Sequence, residues 1–234
     1  MSLRIEEWDI DELCDANSEF PDDIYASLPA LPPELQSLTV AFSYMSDTCA
    51  ILKLGTLPPS LQYLEVSIPA SDCWGLVDLH GLPESLRVLR IKEGMSPAKL
   101  VALPPRLQVL ELDYIWNKQL PPLPQSLRKF SIGCRGYKLS LPDLPPALED
   151  LSLQNYRGPL PELPSRLKRL GVHDCDVQFP PVLPASLHSV CSSFYDDSEL
   201  QLPGFRHACR GLWVRIGEEG EASSERGFAL AQQL

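Results

Sequence analysis

One pattern of apolar and polar positions recurs along most of the chain. Its unit reads L-P-x-x-L-x-x-L-x-[VIL], as in LPQSLRKFSI at residues 123–132. The last three positions alternate apolar, polar and apolar, which is the period of a short strand with one buried face. The copies begin at Leu31, Leu57, Leu82, Leu103, Leu123, Leu144, Leu163 and Leu183.

The spacing of the copies predicts the fold. Successive starts lie 26, 25, 21, 20, 21, 19 and 20 residues apart. Dense apolar repeats with a period in this range are typical of leucine-rich repeat solenoids. We therefore predict an α/β-type solenoid dominated by β structure: a leucine-rich repeat horseshoe with a parallel concave sheet and a proline-rich, extended convex side.

The prolines account for the short period. The chain has 24 of them, and many lie in the segments that return from one strand to the next, such as LPDLP at 141–145 and LPELP at 160–164. Proline fixes φ and favours extended structure, which recrosses the solenoid in few residues without a helix. The longer Ser67–Gly81 segment has room for a helical turn or a bulged loop.

The repeat boundaries divide the chain into four parts. We predict an N-terminal cap at 1–30, about eight repeats at 31–193, a C-terminal cap at 194–216 and a disordered tail at 217–234, because solenoid ends need a cover and polar termini are often mobile.

Both ends carry a trace of the repeat. Leu3-Arg-Ile5 resembles the end of a repeat strand, so the N-terminal cap is predicted as part strand and part short helix, with a mobile acidic tail as the alternative. At the other end, Leu202–Phe205 is predicted to open a degenerate ninth turn, and Leu212–Ile216 to form the last strand.

Composition narrows the classes of function. The formal charge is −11, from 20 basic and 31 acidic residues, which argues against nucleic acid and anionic membranes as partners. We predict no secretory signal and no membrane span, because no apolar run is long enough. The seven cysteines form no C-x-x-C pair, so we expect free thiols in a reducing, cytoplasmic compartment and no metal site.

Several segments resemble a known family of repeats. LPPLPQSLRKFSI (120–132), LPDLPPALEDLSL (141–153) and LPELPSRLKRLGV (160–172) resemble the bacterial short-period class LPxLPxxLxxLxVxxNxLxx. LPPSL and LPASL are also similar to FNIP repeats. The bacterial class occurs in secreted effectors, some of which carry a C-terminal ubiquitin-ligase domain. The resemblance implies an effector-like protein that is delivered into a host cell.

The chain departs from this class at one position of the repeat. The class has an asparagine three residues after the strand, where this chain has Ile115, Arg135, Tyr156 and Cys175. We predict that Tyr156 fills the space of the missing asparagine.

The outward strand positions form the predicted binding surface, because side chains along a strand alternate between its two faces. From the fifth repeat on, small residues in the central column predict a smooth trough that admits a helix or an extended peptide. We predict that a protein or peptide partner contacts Tyr63, Glu65, Arg90, Lys92, Glu111, Asp113, Lys129, Asp150, Gln154, Arg169 and His173 on this face, and Tyr114 and Trp116 at its edge.

Catalysis has little support in the sequence. His173, Asp174 and Cys175 lie close together, but a nucleophile also needs a base in reach and an oxyanion site. We therefore predict a non-enzymatic interaction module without a cofactor, in which Cys175 is a buried small residue. Two alternatives stay open: the substrate-recognition part of a ubiquitin ligase whose catalytic part lies elsewhere, and a self-associating structural repeat protein.

Overall fold

The repeat pattern folds into a β-solenoid. The computed structural model describes residues 1–9, 24–28, 30–44, 50–67, 75–92, 95–115, 119–137, 139–175, 177–192, 202, 204–209 and 211–216. Its strands are β1 (Ser2–Asp9), β2 (Ile24–Ser27), β3 (Ser37–Tyr44), β4 (Ala50–Lys53), β5 (Tyr63–Ser67), β6 (Gly75–Asp78), β7 (Val88–Lys92), β8 (Met95–Lys99), β9 (Val109–Ile115), β10 (Lys129–Tyr137), β11 (Asp150–Tyr156), β12 (Arg169–His173), β13 (Ser189–Ser192), β14 (Phe205–Cys209) and β15 (Leu212–Arg215).

Eleven strands form one long sheet in the order β1-β3-β5-β7-β9-β10-β11-β12-β13-β15-β14. Neighbours from β1 to β13 are parallel, and Leu38, Leu64, Leu89 and Leu110 stand beside one another in register. These side chains are fully buried. The predicted solenoid with a parallel sheet is therefore confirmed.

Each repeat enters its strand through the same tight turn. The amide of Leu86 donates to the carbonyl of Pro83 at 3.0 Å, and the equivalent Pro-x-x-Leu bond recurs in every repeat. The following amides bond to the repeat before, as when Gln62 donates to the Gln36 carbonyl at 2.8 Å. The bond between the motif proline and leucine thus shapes each turn, and the amides that follow the leucine hold consecutive turns in one stack.

A row of serines ties these turns together. The Ser85 hydroxyl donates to the carbonyl of Leu61 at 2.6 Å. The same bond to the preceding turn is made by Ser60, Ser126 and Ser186 at 2.6–2.7 Å. We call this row the serine ladder. It explains the serine of the LPxSL copies, which the sequence pattern alone leaves without a role.

The first repeats also carry a second, smaller sheet. Strands β2, β4, β6 and β8 pair in parallel on the return side of the solenoid. The helical turn or bulged loop predicted for Ser67–Gly81 is wrong at Gly75–Asp78, which is β6. Val77 there is fully buried, so a second strand fits the longer repeats. No helix occurs among the residues that the structure describes.

The C-terminal end closes the sheet in a different direction. Phe205 donates to the Leu202 carbonyl at 3.0 Å, which closes a local turn where the degenerate ninth turn is predicted. The predicted last strand is observed as β15, and it pairs antiparallel with both β13 and β14. The chain therefore reverses direction after the parallel strands of the repeats. Arg215 secures this reversal by donating from Nε to the Leu187 carbonyl at 2.7 Å.

The structure describes more of the N-terminal end than of the C-terminal tail. At the N-terminus, β1 continues the repeat register, with Leu3 beside Leu38. The helix predicted within 1–30 and the tail predicted at 217–234 lie mostly or wholly outside the described residues.

Candidate functional site

The face of the long sheet opposite the leucine core carries the predicted site, and we call it the outer sheet face. The register places Tyr63, Lys129, Asp150 and Arg169 in one column across the strands, Glu65, Arg90 and Glu111 in the next, and Gln154 and His173 in a third. Lys92 pairs with Ser67, and Asp113 lies on β9, beside Gly133. The role of these residues in binding stays a prediction.

An ionic cluster occupies the middle of the outer sheet face. The Glu111 carboxylate lies 3.2 Å from Arg90 Nε, 2.9 Å from Lys129 Nζ and 3.7 Å from Lys92 Nζ. Its side chain is only 8% exposed, whereas those of the three cations are 32–42% exposed. Three cations thus converge on one buried anion, and we call this group the Glu111 cluster.

Arg90 connects the cluster to the preceding strand. Its Nη1 atom lies 3.5 Å from both the Tyr63 hydroxyl and a Glu65 carboxylate oxygen. The Tyr63 hydroxyl in turn donates to Glu65, and burial together with this hydrogen bond raises the pKa of Tyr63. These contacts hold the half-buried side chains in fixed positions before any partner arrives.

The environment of Glu111 determines its charge. Burial by itself would raise the pKa of the carboxyl group, but the hydrogen bond and charge of Lys129, with the charges of Arg90 and Lys92, outweigh burial and lower it. A depressed folded-state pKa means that the ionised group stabilises the fold above its unfolded-state pKa, and that this contribution is lost as the pH falls through the folded-state pKa.

We expect Glu111→Gln to destabilise the protein most at neutral pH. The difference in free energy of unfolding from wild type should shrink as the pH falls below the unfolded-state pKa of about 4.3 and through the lowered folded-state pKa, where wild-type Glu111 becomes neutral as well. Urea unfolding at several pH values measures this difference. Glu162→Gln, which changes an exposed carboxylate, is the matched control. A difference that is independent of pH would contradict the proposed charge state of Glu111.

A smoother stretch follows the cluster. The central column continues with the half-buried Ser131, Ser152 and Gly171. Beside it, Arg169 donates to Asp150 from two nitrogens at 2.8 and 3.0 Å. Small side chains thus line the middle of the face on β10, β11 and β12, where the sequence predicts a trough.

His173 lies at the margin of this trough. Its Nε2 atom is buried without a hydrogen-bond partner and would lie 3.4 Å from a Cβ built on Gly171. Burial lowers the pKa of His173, and the nearby Asp174 only partly offsets this effect.

The predicted aromatic edge is only partly visible. Tyr156 is fully buried, and its hydroxyl lies 2.9 and 3.2 Å from the carbonyl oxygens of Pro159 and Leu139. Its predicted role in filling the asparagine position is confirmed. Tyr114 lies in β9, and Trp116 lies outside the described residues, so their part in binding stays a prediction.

Cys175, near His173 in sequence, is buried, and its thiol contacts backbone oxygens. The Cys175 sulfur lies 3.2 and 3.3 Å from the carbonyl oxygens of His173 and Leu153, and its residue is 3% exposed. Burial raises the pKa of this thiol, which opposes formation of a nucleophilic thiolate. The prediction that Cys175 is a buried small residue is confirmed.

Within the described part of the chain, no group of three or more His, Cys, Asp or Glu side chains could hold a metal ion. The same part contains no helix of the length and apolarity needed to cross a membrane.

Sequence reasoning missed one exposed feature, the basic residues in the turns that precede the strands. Arg106 and Arg166 occupy serine-ladder positions. The signal was present in the printed repeats, since LPPRL and LPSRL carry arginine where LPPSL carries serine. Only the hydrogen bonds of the ladder show what the arginines replace.

Comparison with known proteins finds similarity to a solved structure but to no family model. No protein-family model matches the sequence, and no curated protein matches it either. Among solved structures, the chain is similar to YopM from Yersinia enterocolitica WA-314, with 29% identity and a TM-score of 0.49. The match covers 72% of this chain and 39% of that chain, so this chain spans well under half the length of the protein it resembles.

Proposed function

We propose that this protein is a non-enzymatic interaction module that binds a protein partner across the outer sheet face. The observation that carries the proposal is the arrangement of that face: charged side chains are held in place by the Glu111 cluster, next to a trough of small residues. A face of this kind offers prearranged polar contacts and room for a segment of a partner.

The trough suits a helix or an extended peptide. Ser131 and Ser152 are half-buried and have small side chains, so they do not project into the space above the sheet. The pairs Lys129–Glu111 at 2.9 Å and Arg169–Asp150 at 2.8 Å border this space with fixed polar groups. The partner-binding residues named from the sequence form part of this proposal.

The class and location of the protein are also proposals. The LPxLP segments support the short-period class of effector repeats, and with it delivery into a host cell. Cys175 is a free, buried thiol, which supports a reducing, cytoplasmic compartment.

A steric block tests the binding site. We expect Ser131→Arg with Ser152→Arg to abolish capture of a partner, because two bulky cations would fill the trough while the ion pairs beside it remain. Ser140→Arg with Gln178→Arg is the matched control, since it adds the same side chains at exposed positions outside the sheet strands.

The measurement is affinity capture from host-cell lysate with wild type, the blocked variant and the control, each shown to be folded by circular dichroism. A protein that is captured by wild type and the control but lost from the blocked variant would support the proposal. Equal capture by all three would refute a site in the trough. A large homo-oligomer without a captured partner would favour the self-associating alternative.

A further inference from the structure

Basic side chains collect in the turns that lead into β7, β9, β10 and β12, on either side of the turn into β11, which carries only Glu149. The five turns comprise residues 84–87, 105–108, 125–128, 146–149 and 165–168, and they carry five basic and two acidic residues, a local charge of +3 in a chain of charge −11. All five basic residues are exposed. We call them the basic ridge: Arg87, Arg106, Arg128, Arg166 and Lys168.

The repeat geometry aligns the ridge along the side of the long sheet where the strands begin. The five turns share the Pro-x-x-Leu hydrogen bond, at 3.0 or 3.1 Å in each, so equivalent positions project from equivalent places. Adjacent strands lie about 4.8 Å apart, and the four intervals from β7 to β12 therefore span about 19 Å. An extended peptide covers this distance with about six residues.

Two of the ridge residues replace members of the serine ladder. Ser85 and Ser126 each donate to a carbonyl of the preceding repeat at 2.6 Å. Arg106 and Arg166 stand at the same position of their repeats, are exposed, and have no ion-pair partner among the residues that the structure describes. At these two positions, the ridge therefore has a cation, without an ion pair to any described residue, in place of a hydrogen-bonded serine.

One of the two acidic residues in these turns, Glu149, is already neutralised, whereas the other, Glu84, is exposed. Glu149 lies 3.3 Å from Arg128 Nη1 and 2.8 Å from Lys168 Nζ. The hydrogen bond from Lys168 is the main reason that the pKa of Glu149 is lowered. Two cations share this one carboxylate, so the middle of the ridge keeps a positive charge.

We propose that the basic ridge binds an acidic, extended segment of the partner protein. The proposal rests on the proposed function and specifies the chemistry of the partner. Arginine presents several N–H donors to a carboxylate and keeps its charge at all physiological pH values. Carboxylates along an extended segment would complement the charge of the ridge, and the attraction would weaken as salt increases.

The test uses a labelled glutamate-rich peptide of about ten residues and its glutamine counterpart, with fluorescence anisotropy as the readout. Wild type is expected to bind the glutamate peptide, and more weakly as the salt rises from about 50 to about 300 mM. Arg106→Ser with Arg166→Ser is expected to weaken this binding by about three- to ten-fold, since each exposed charge contact contributes modestly.

The control removes the same charge elsewhere. Arg157→Ser with Arg206→Ser changes two exposed arginines outside the ridge and should leave the affinity unchanged. Both variants are checked by thermal unfolding, and the ridge variant should be at least as stable as wild type because serine restores the ladder. If it unfolds, Arg106→Gln with Arg166→Gln takes its place.

Three results would overturn the proposal: no binding of the glutamate peptide at low salt, equal affinity for the glutamine peptide, or an equal loss in the control variant. Tighter binding of a single-stranded oligonucleotide than of the glutamate peptide would reassign the ridge to nucleic acid. Failure here is distinguishable from failure of the proposed function, because the trough is tested by Ser131→Arg with Ser152→Arg and by capture of a whole partner.

Discussion

Gly133→Ala is expected to lower the free energy of unfolding by about 3 kcal/mol or more, which is at the upper end for an overpacked site. A Cβ built on Gly133 would lie 2.1 Å from the backbone carbonyl oxygen of Asp113 on the neighbouring strand. The Asp113 carbonyl belongs to the backbone of a paired strand, so it cannot rotate away as a side chain can. Strands β9 and β10 would therefore have to separate beside the Glu111 cluster.

Gly171→Ala is the matched control on the same face. The nearest atom to its added Cβ is the Ser152 hydroxyl oxygen at 3.2 Å, and that side chain can turn aside. We expect a change of less than about 1 kcal/mol. Urea unfolding of both variants measures the difference, and equal losses of stability would mean that close backbone packing at Gly133 is not the cause.

Tyr156→Ala is expected to destabilise the protein by about 3–5 kcal/mol, the range for truncating a buried aromatic side chain. Tyr156 is fully buried, and its hydroxyl is the hydrogen-bond partner of the Pro159 and Leu139 carbonyls. Gly158 packs so closely that a Cβ there would lie 2.3 Å from this hydroxyl. The surrounding chain is thus shaped around the tyrosine.

Tyr156→Phe separates the two contributions of this side chain. It keeps the ring and removes the hydroxyl, so we expect a loss of about 1–2 kcal/mol. The measurement is chemical unfolding of the two variants beside wild type. If the phenylalanine variant were as unstable as the alanine variant, the hydrogen bonds rather than the volume of the ring would hold this turn.

Gly133 and Tyr156 matter for function because strand packing holds the side chains of the outer sheet face in place. Its columns exist only while the strands keep their register, and Gly133 and Tyr156 both lie on strands that carry predicted site residues. A loss of partner binding in such variants would reflect altered strand packing, which is why the binding tests use surface substitutions.

The repeat pattern determined the long sheet and the residues that share its outer face. Every inward position between Leu38 and Val190 in the strand columns is apolar, and alternation then forces Glu65, Arg90 and Glu111 onto one outward column. Because every copy places the same motif positions side by side, the register follows from the sequence, although successive copies start 19 to 26 residues apart. The sequence also predicted the C-terminal strand at Leu212–Arg215, because an apolar segment follows the last copy of the motif there.

Only the tertiary structure decided which outward residue carries a buried charge. It also decided where the chain reverses its direction. Glu111 is buried because Arg90, Lys92 and Lys129 from three strands converge on it, and no local pattern encodes that convergence. The reversal at β15 depends on the approach of Gly211, where a Cβ would lie 2.2 Å from the Ser192 carbonyl oxygen. Repetition along the chain sets the local geometry of each turn, whereas contacts between turns depend on side-chain shape and charge brought together only in the folded solenoid.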